Sequence, residues 1–167
     1  MRCPSCNEDN LPGEDVCQNC GMDLAGLDVA AWGLDPKDPV LVMTLAELPL
    51  KDSLVLSTTS TVTEAIKLMK QRHEGCVLVN DDQGVLKGIV TEHDVAARVA
   101  APGRDPGRTL LEQVMTPDPV TLQKGDSLAW ALHRMAVDGY RHLPVFDDER
   151  LVGFLSIRTV LQVFCEA

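Results

Sequence analysis

Gly88-Ile89-Val90-Thr91-Glu92-His93-Asp94 is answered further along the chain by Gly153-Phe154-Leu155-Ser156-Ile157-Arg158-Thr159. Each stretch runs from a glycine through two apolar residues to a hydroxyl residue. In that order they read as the buried end of a strand followed by a helix N-cap. Working outward from them, the chain repeats itself. Glu64-Ala65-Ile66-Lys67-Leu68-Met69 returns as Trp130-Ala131-Leu132-His133-Arg134-Met135, and Cys76-Val77-Leu78-Val79 returns as His142-Leu143-Pro144-Val145, both at an offset of 66. The glycine stretches are offset by 65, and the lost residue falls between the acidic turns Asp81-Asp82-Gln83-Gly84-Val85 and Asp147-Asp148-Glu149-Arg150. A turn joining two strands tolerates such a change best.

Each repeat reads as β-α-β-β-α. A short strand (53–57; 119–122) precedes a helix with apolar spacing at Val62, Ala65, Ile66 and Met69. A buried strand, an acidic turn and a second strand (86–90) follow, then a helix with Val95 and Val99 on one face. In the second repeat the last helix runs through Val160, Leu161 and Phe164. The fold class is therefore α+β, with repeats at 41–104 and 105–167. The stretch 25–40, with Asp35-Pro36-Lys37-Asp38-Pro39, is poor helix and strand material and reads as a linker or docking arm that Trp32 could pin.

The repeated order and the Gly-apolar-apolar-Thr-x-x-Asp junction resemble the cystathionine-β-synthase (CBS) domain, and two in tandem resemble the Bateman module. Residues 88–94 fit the junction fully, and 153–159 fit except at Thr159; Tyr140-Arg141-His142-Leu143-Pro144-Val145 resembles the family's second-strand pattern. The resemblance implies two sheets packed as a pseudo-twofold pair, with two clefts for adenosine nucleotides such as AMP, ADP or ATP. It also implies a phosphate turned toward the centre, where Arg141, His142 and Arg158 stand, and packing of the helices against a second module as a homodimer.

The residues agree with that implication. Thr91 stands where a helix begins, so its hydroxyl and the first backbone N–H groups can meet a phosphate. Asp94, three residues on, can accept hydrogen bonds from two ribose hydroxyls. The same pair is also an ordinary N-cap with a first-turn acid. At the offsets above, the counterparts of Arg141, His142 and Arg158 are Gly75, Cys76 and His93. The second cleft, with Ser156, Thr159 and His93, therefore lacks both the carboxylate and the arginines, and is expected to be the weaker.

Residues 1–24 form a separate unit. Cys3-Pro4-Ser5-Cys6 and Cys17-Gln18-Asn19-Cys20-Gly21 are two CxxC turns, and the ten residues between them offer only Leu11 and Val16 as clear apolar groups. Such a segment cannot offset its ordering entropy by burial. Four thiolates can hold it around a structural zinc, in a unit that resembles a short zinc ribbon. Iron would suit the same ligands, and a pair of disulfides would need an oxidising compartment. Four protein ligands leave no position for water, which argues against hydrolysis at the metal. Cys76 and Cys165 stand singly in apolar surroundings and read as buried thiols.

The net charge of −10, with −5 in residues 1–28, disfavours nucleic acid. The ribbon is instead expected to dock on a protein or a second subunit. No apolar run is long enough for a membrane span, and Met1-Arg2-Cys3 begins no apolar signal run, so a cytoplasmic protein is expected. His73, His93, His133 and His142 form no metal-binding pair, with His73 and His133 read as solvated on helices, and no sequence motif proposes a reaction. The reading is a non-enzymatic nucleotide sensor. An interaction scaffold with empty clefts and a metal or redox sensor through the four cysteines are the alternatives.

Overall fold

The computed structural model describes residues 3, 5, 6, 8–10, 16–22, 24 and 39–166. Trp32 and residues 25–38 of the expected arm lie outside them. A short helix α1 (Pro39–Val42) opens the main body. The first repeat contains β1 (Val55–Ser57), α2 (Val62–Arg72), β2 (Cys76–Asn80), β3 (Leu86–Thr91) and α3 (Glu92–Val95). After β4 (Thr116–Pro117), the second contains β5 (Leu122–Gln123), α4 (Leu128–Asp138), β6 (His142–Asp147), β7 (Arg150–Ser156) and α5 (Ile157–Glu166).

The sheets are ordered β1-β2-β3-β4 and β5-β6-β7. Their registers match: Cys76 faces Thr91 as His142 faces Ser156, and both hairpins shift register at equivalent points, Val79/Asn80 and Val145/Phe146. Strand alternation then divides the side chains. Val77, Val79 and Val90 turn toward their own helices, as Leu143, Val145 and Leu155 do in the second repeat. Cys76, Leu78 and Ile89 turn the other way and meet Phe154, which closes the seam between the sheets.

The lead-in to each repeat packs on the other repeat. Val40, Leu45 and Leu48 lie in the second repeat's core, where the Leu45 N–H donates to the Asp126 carbonyl at 2.9 Å. Leu111 and Val114 lie in the first repeat's core, where the Leu111 N–H donates to the Ser60 carbonyl at 2.9 Å. The paired glycines make room for this exchange. A Cβ on Gly153 would stand 2.7 Å from the Lys51 carbonyl oxygen, and one on Gly88 would stand 2.5 Å from the Met115 sulfur.

Several expected details are corrected. The first strand of each repeat is shorter than 53–57 and 119–122, and Pro119 has no N–H to give a ladder. On α2 the buried stripe is Val62, Ala65 and Met69; Ile66, turned about 100° from Ala65, is 37% exposed. Cys165 is exposed rather than buried, whereas Cys76 is buried and its thiol is pushed up to about 12 by desolvation. His133 is half-buried in a stack against Trp130, so it is not a solvated helix residue. No helix among the described residues is long and apolar enough to cross a membrane.

Candidate nucleotide cleft and metal centre

The end of β3 delivers Thr91 to the N-terminus of α3. Its hydroxyl accepts the Asp94 N–H at 3.3 Å, while its own N–H and Oγ1–H donate to Asp94 Oδ2 at 2.9 and 2.7 Å. The other carboxylate oxygen lies 3.4 Å from Arg98 Nη2. Asp94 is 5% exposed yet lines the cleft. The helix then widens into a π-turn over Ala96–Ala100, a feature frequent at functional sites. From that turn, Arg98 donates to the carbonyls of Val114 and Met115 at 2.7 and 2.8 Å, and to Thr116 Oγ1 at 3.2 Å. It thereby ties Asp94 to the crossing strand β4. Sequence reasoning missed Arg98, although its i,i+4 spacing from Asp94 was a usable signal.

The cleft has a volume of about 770 Å³ and is lined by both repeats. Thr91, Asp94 and His93 from the first repeat meet Arg141, His142, Ser156 and Arg158 from the second. The residues expected in two clefts thus border one continuous groove. Thr159 is the exception: it is 2% exposed, and its N–H donates to Ser156 Oγ at 3.2 Å, so it repeats the cap of α3 without a carboxylate. Arg141 and Arg158 are exposed and form no ion pair among the described residues.

His142 spans the seam between the repeats. Its Nε2 lies where a Gly75 Cβ would be only 3.2 Å away, and its ring is 5.9 Å from that of Phe154. Burial holds its pKa below the ordinary histidine value; Glu74 and Glu92 pull it up, and Arg158 and Arg141 push it down. Glu74 and Glu92 give the cleft an acidic wall; Glu74 carried no signal in the sequence, and Glu92 offered only its place two residues before Asp94, which on a helix points it elsewhere.

At the N-terminus the four cysteine sulfurs lie within 4.8 Å of one another. The Cys3–Cys20 and Cys6–Cys17 separations are both 3.6 Å. A tetrahedral centre with metal–sulfur bonds of ~2.3 Å needs edges of about 3.8 Å, so the donor set fits a tetrahedral metal. The turns repeat their hydrogen bonds, from the Cys3 N–H to the Glu8 carbonyl at 2.8 Å and from the Cys17 N–H to the Met22 carbonyl at 2.7 Å. Asn10, buried between them, accepts the Gln18 N–H at 2.9 Å and places Nδ2 3.5 Å from Cys17 Sγ. The backbone N–H of Cys20 leads the groups that draw the Cys17 thiol down to about 6, whereas burial drives Cys3 up to about 12. A cation that makes all four deprotonated removes that conflict.

Two sheets joined across a shared cleft, each with a capped strand-to-helix turn at its rim, define a paired-repeat regulatory module. The chain belongs to the CBS-domain family, whose profile matches residues 45–101 and 111–166. A CBS domain-containing protein of Arabidopsis thaliana is 35% identical over 118 residues, 71% of this chain and 22% of its own length. The chain thus spans about a fifth of the plant relatives it matches. Among solved structures, a putative signal-transduction protein with CBS domains from Burkholderia ambifaria has a TM-score of 0.67 and 30% identity, covering 73% of this chain and 90% of that one. A CBS domain protein of Pyrobaculum aerophilum complexed with AMP has a TM-score of 0.67 and 22% identity, covering 74% and 97%.

Proposed function

We propose that the paired repeats are a non-catalytic sensor that binds one adenine nucleotide per chain, chiefly through Thr91 and Asp94. The observation that carries this reading is the convergence of two arginines, Arg141 and Arg158, neither ion-paired among the described residues, on the cleft that Thr91 and Asp94 line. Guanidinium groups suit phosphate. Asp94 takes the ribose hydroxyls, and the AMP complex of a protein with the same fold supports the ligand class. Ser156 and His93 form the weaker half, since the position equivalent to Asp94 is Thr159, which offers no carboxylate and is buried out of the cleft. Four cysteines hold a structural zinc, and the protein acts in the cytoplasm. Thermal melts with AMP, ADP, ATP, NADH and S-adenosylmethionine test the reading. The selected ligand raises stability by about 2.7 kcal/mol at a hundredfold excess over Kd; no shift with any of them would favour an interaction scaffold.

His142 gives that binding a pH dependence. A phosphate beside the imidazole favours its charged form, so its pKa is higher in the complex than in the free protein, where burial holds it low. Binding then takes up a proton, and affinity rises as pH falls through the pKa of the complex, levelling off only below that of the free protein, which lies under the ordinary histidine value. His142→Gln should flatten the profile; an unchanged profile would remove His142 from the site.

The module is a homodimer in this reading. Ile66 on α2, Val137 on α4 and Leu161 on α5 are 37%, 64% and 58% exposed, and a second module would cover them. Light scattering at micromolar concentration should give twice the 18.2 kDa chain mass. A monomer would contradict this.

A further inference from the structure

Trp130 belongs to two hydrophobic clusters at once. One side of it packs on the core of the second repeat, and another meets the cluster of Cys3, Cys17, Met22 and Leu24. The indole is held on α4 by its own neighbours. His133 stacks on it at 5.4 Å with an interplanar angle of 18°, and the Arg134 guanidinium carbon lies 5.3 Å from its centroid. Arg134 is fixed in turn by Asp138 at 3.1 Å. On the N-terminal side, Cys3, Cys17 and Leu24 are 0%, 2% and 1% exposed. The cluster that Trp130 packs against therefore includes two of the four candidate metal ligands.

We propose that residues 1–24 are a metal-dependent clamp on the second repeat of the same chain, closed over Trp130 when the four thiolates hold a metal and released when they do not. The inference rests on the reading of the cysteine cluster as a metal centre. The physical link is short. A unit with so few apolar groups cannot fix its docking face by burial alone, and the metal that joins Cys3 to Cys17 builds that face. By linkage, docking on Trp130 tightens metal binding by the factor by which metal tightens docking. The clamp also sits on the helix that leads into Tyr140, Arg141 and His142, so it bears on the element that supplies the cleft's arginine side.

The full chain carrying Trp32→Phe makes Trp130 its single tryptophan. Metal-free, reduced protein is titrated with Co²⁺, whose thiolate charge-transfer absorption reports site filling. In parallel it is titrated with Zn²⁺ while Trp130 emission and acrylamide quenching are followed. The clamp predicts that equimolar Zn²⁺ shifts the emission to the blue and lowers the quenching constant. Both changes should reverse with chelator and be independent of protein concentration. A cobalt band with unchanged Trp130 signals would overturn the clamp and leave the metal centre standing; absence of the band would overturn both. A response that appears only at high protein concentration would place the unit on a second copy and also overturn the proposal. Leu24→Ser should keep the cobalt band and lose the tryptophan response; retention of the response would show that the contact does not run through this cluster.

Discussion

Replacing Cys17 by Ser is expected to strip the metal and unfold residues 1–24 while the paired repeats remain folded. The sulfurs of the four-cysteine unit lie within 4.8 Å of one another, and its buried apolar groups are few. A structural zinc in such a unit supplies ~10–16 kcal/mol of folding free energy, far more than its burial can. Loss of one ligand removes most of that. The repeats have their own cores, one around Val62, Val77 and Val90 and the other around Leu128, Val145 and Leu155. Among the described residues the apolar contact that links them to the lost unit is at Trp130, so their own melt should shift slightly. Elemental analysis should find close to one zinc per wild-type chain and none in the variant. Iron, or no metal in freshly prepared wild-type protein, would contradict the zinc assignment.

Asp94→Ala is expected to act twice, on two separable readouts. Without nucleotide it removes the acceptor for the Thr91 N–H and hydroxyl and the partner of Arg98. Loss of such a cap lowers stability by ~1 kcal/mol. With nucleotide it also removes the ribose acceptor. That costs a further ~1.5–3 kcal/mol, about tenfold to a hundredfold in Kd, the usual loss for a hydrogen bond to a charged group. Thr159→Ala is the matched control. Thr159 occupies the same place in the second cap but lies buried away from the cleft, so its loss affects stability without weakening binding. If the two variants bind nucleotide equally well, Asp94 is a cap and nothing more.

The repeat was legible because its signal is periodic in the chain. Both hairpins pair in the register that the offsets of 66 and 65 imply, and the offset that set Gly75 opposite Arg141 also brought Gly75 near His142 in the seam. The exchange of lead-in segments was not legible. Leu45 bonding at Asp126, or Lys51 lying against Gly153, is a pairing between residues 81 or 102 positions apart with no local signature. Ile66 and Cys165 were misplaced because apolar spacing says which residues are apolar, not which flank of a helix finds a neighbour. In the site, the charged ends of the cleft could be read from the motif. Arg98 acts through a π-turn and a crossing strand that only the fold supplies. Trp130 could be seen as a helix residue, but not as the one that meets the N-terminal unit.

Calorimetric titration of the wild-type protein with AMP tests the central claim most directly, since it reads affinity and stoichiometry together. One carboxylate-bearing motif, two arginines on the facing repeat and a second motif ending in Thr159 together predict one nucleotide per chain. Two equal sites per chain, or no saturable heat with AMP, ADP or ATP, would contradict it.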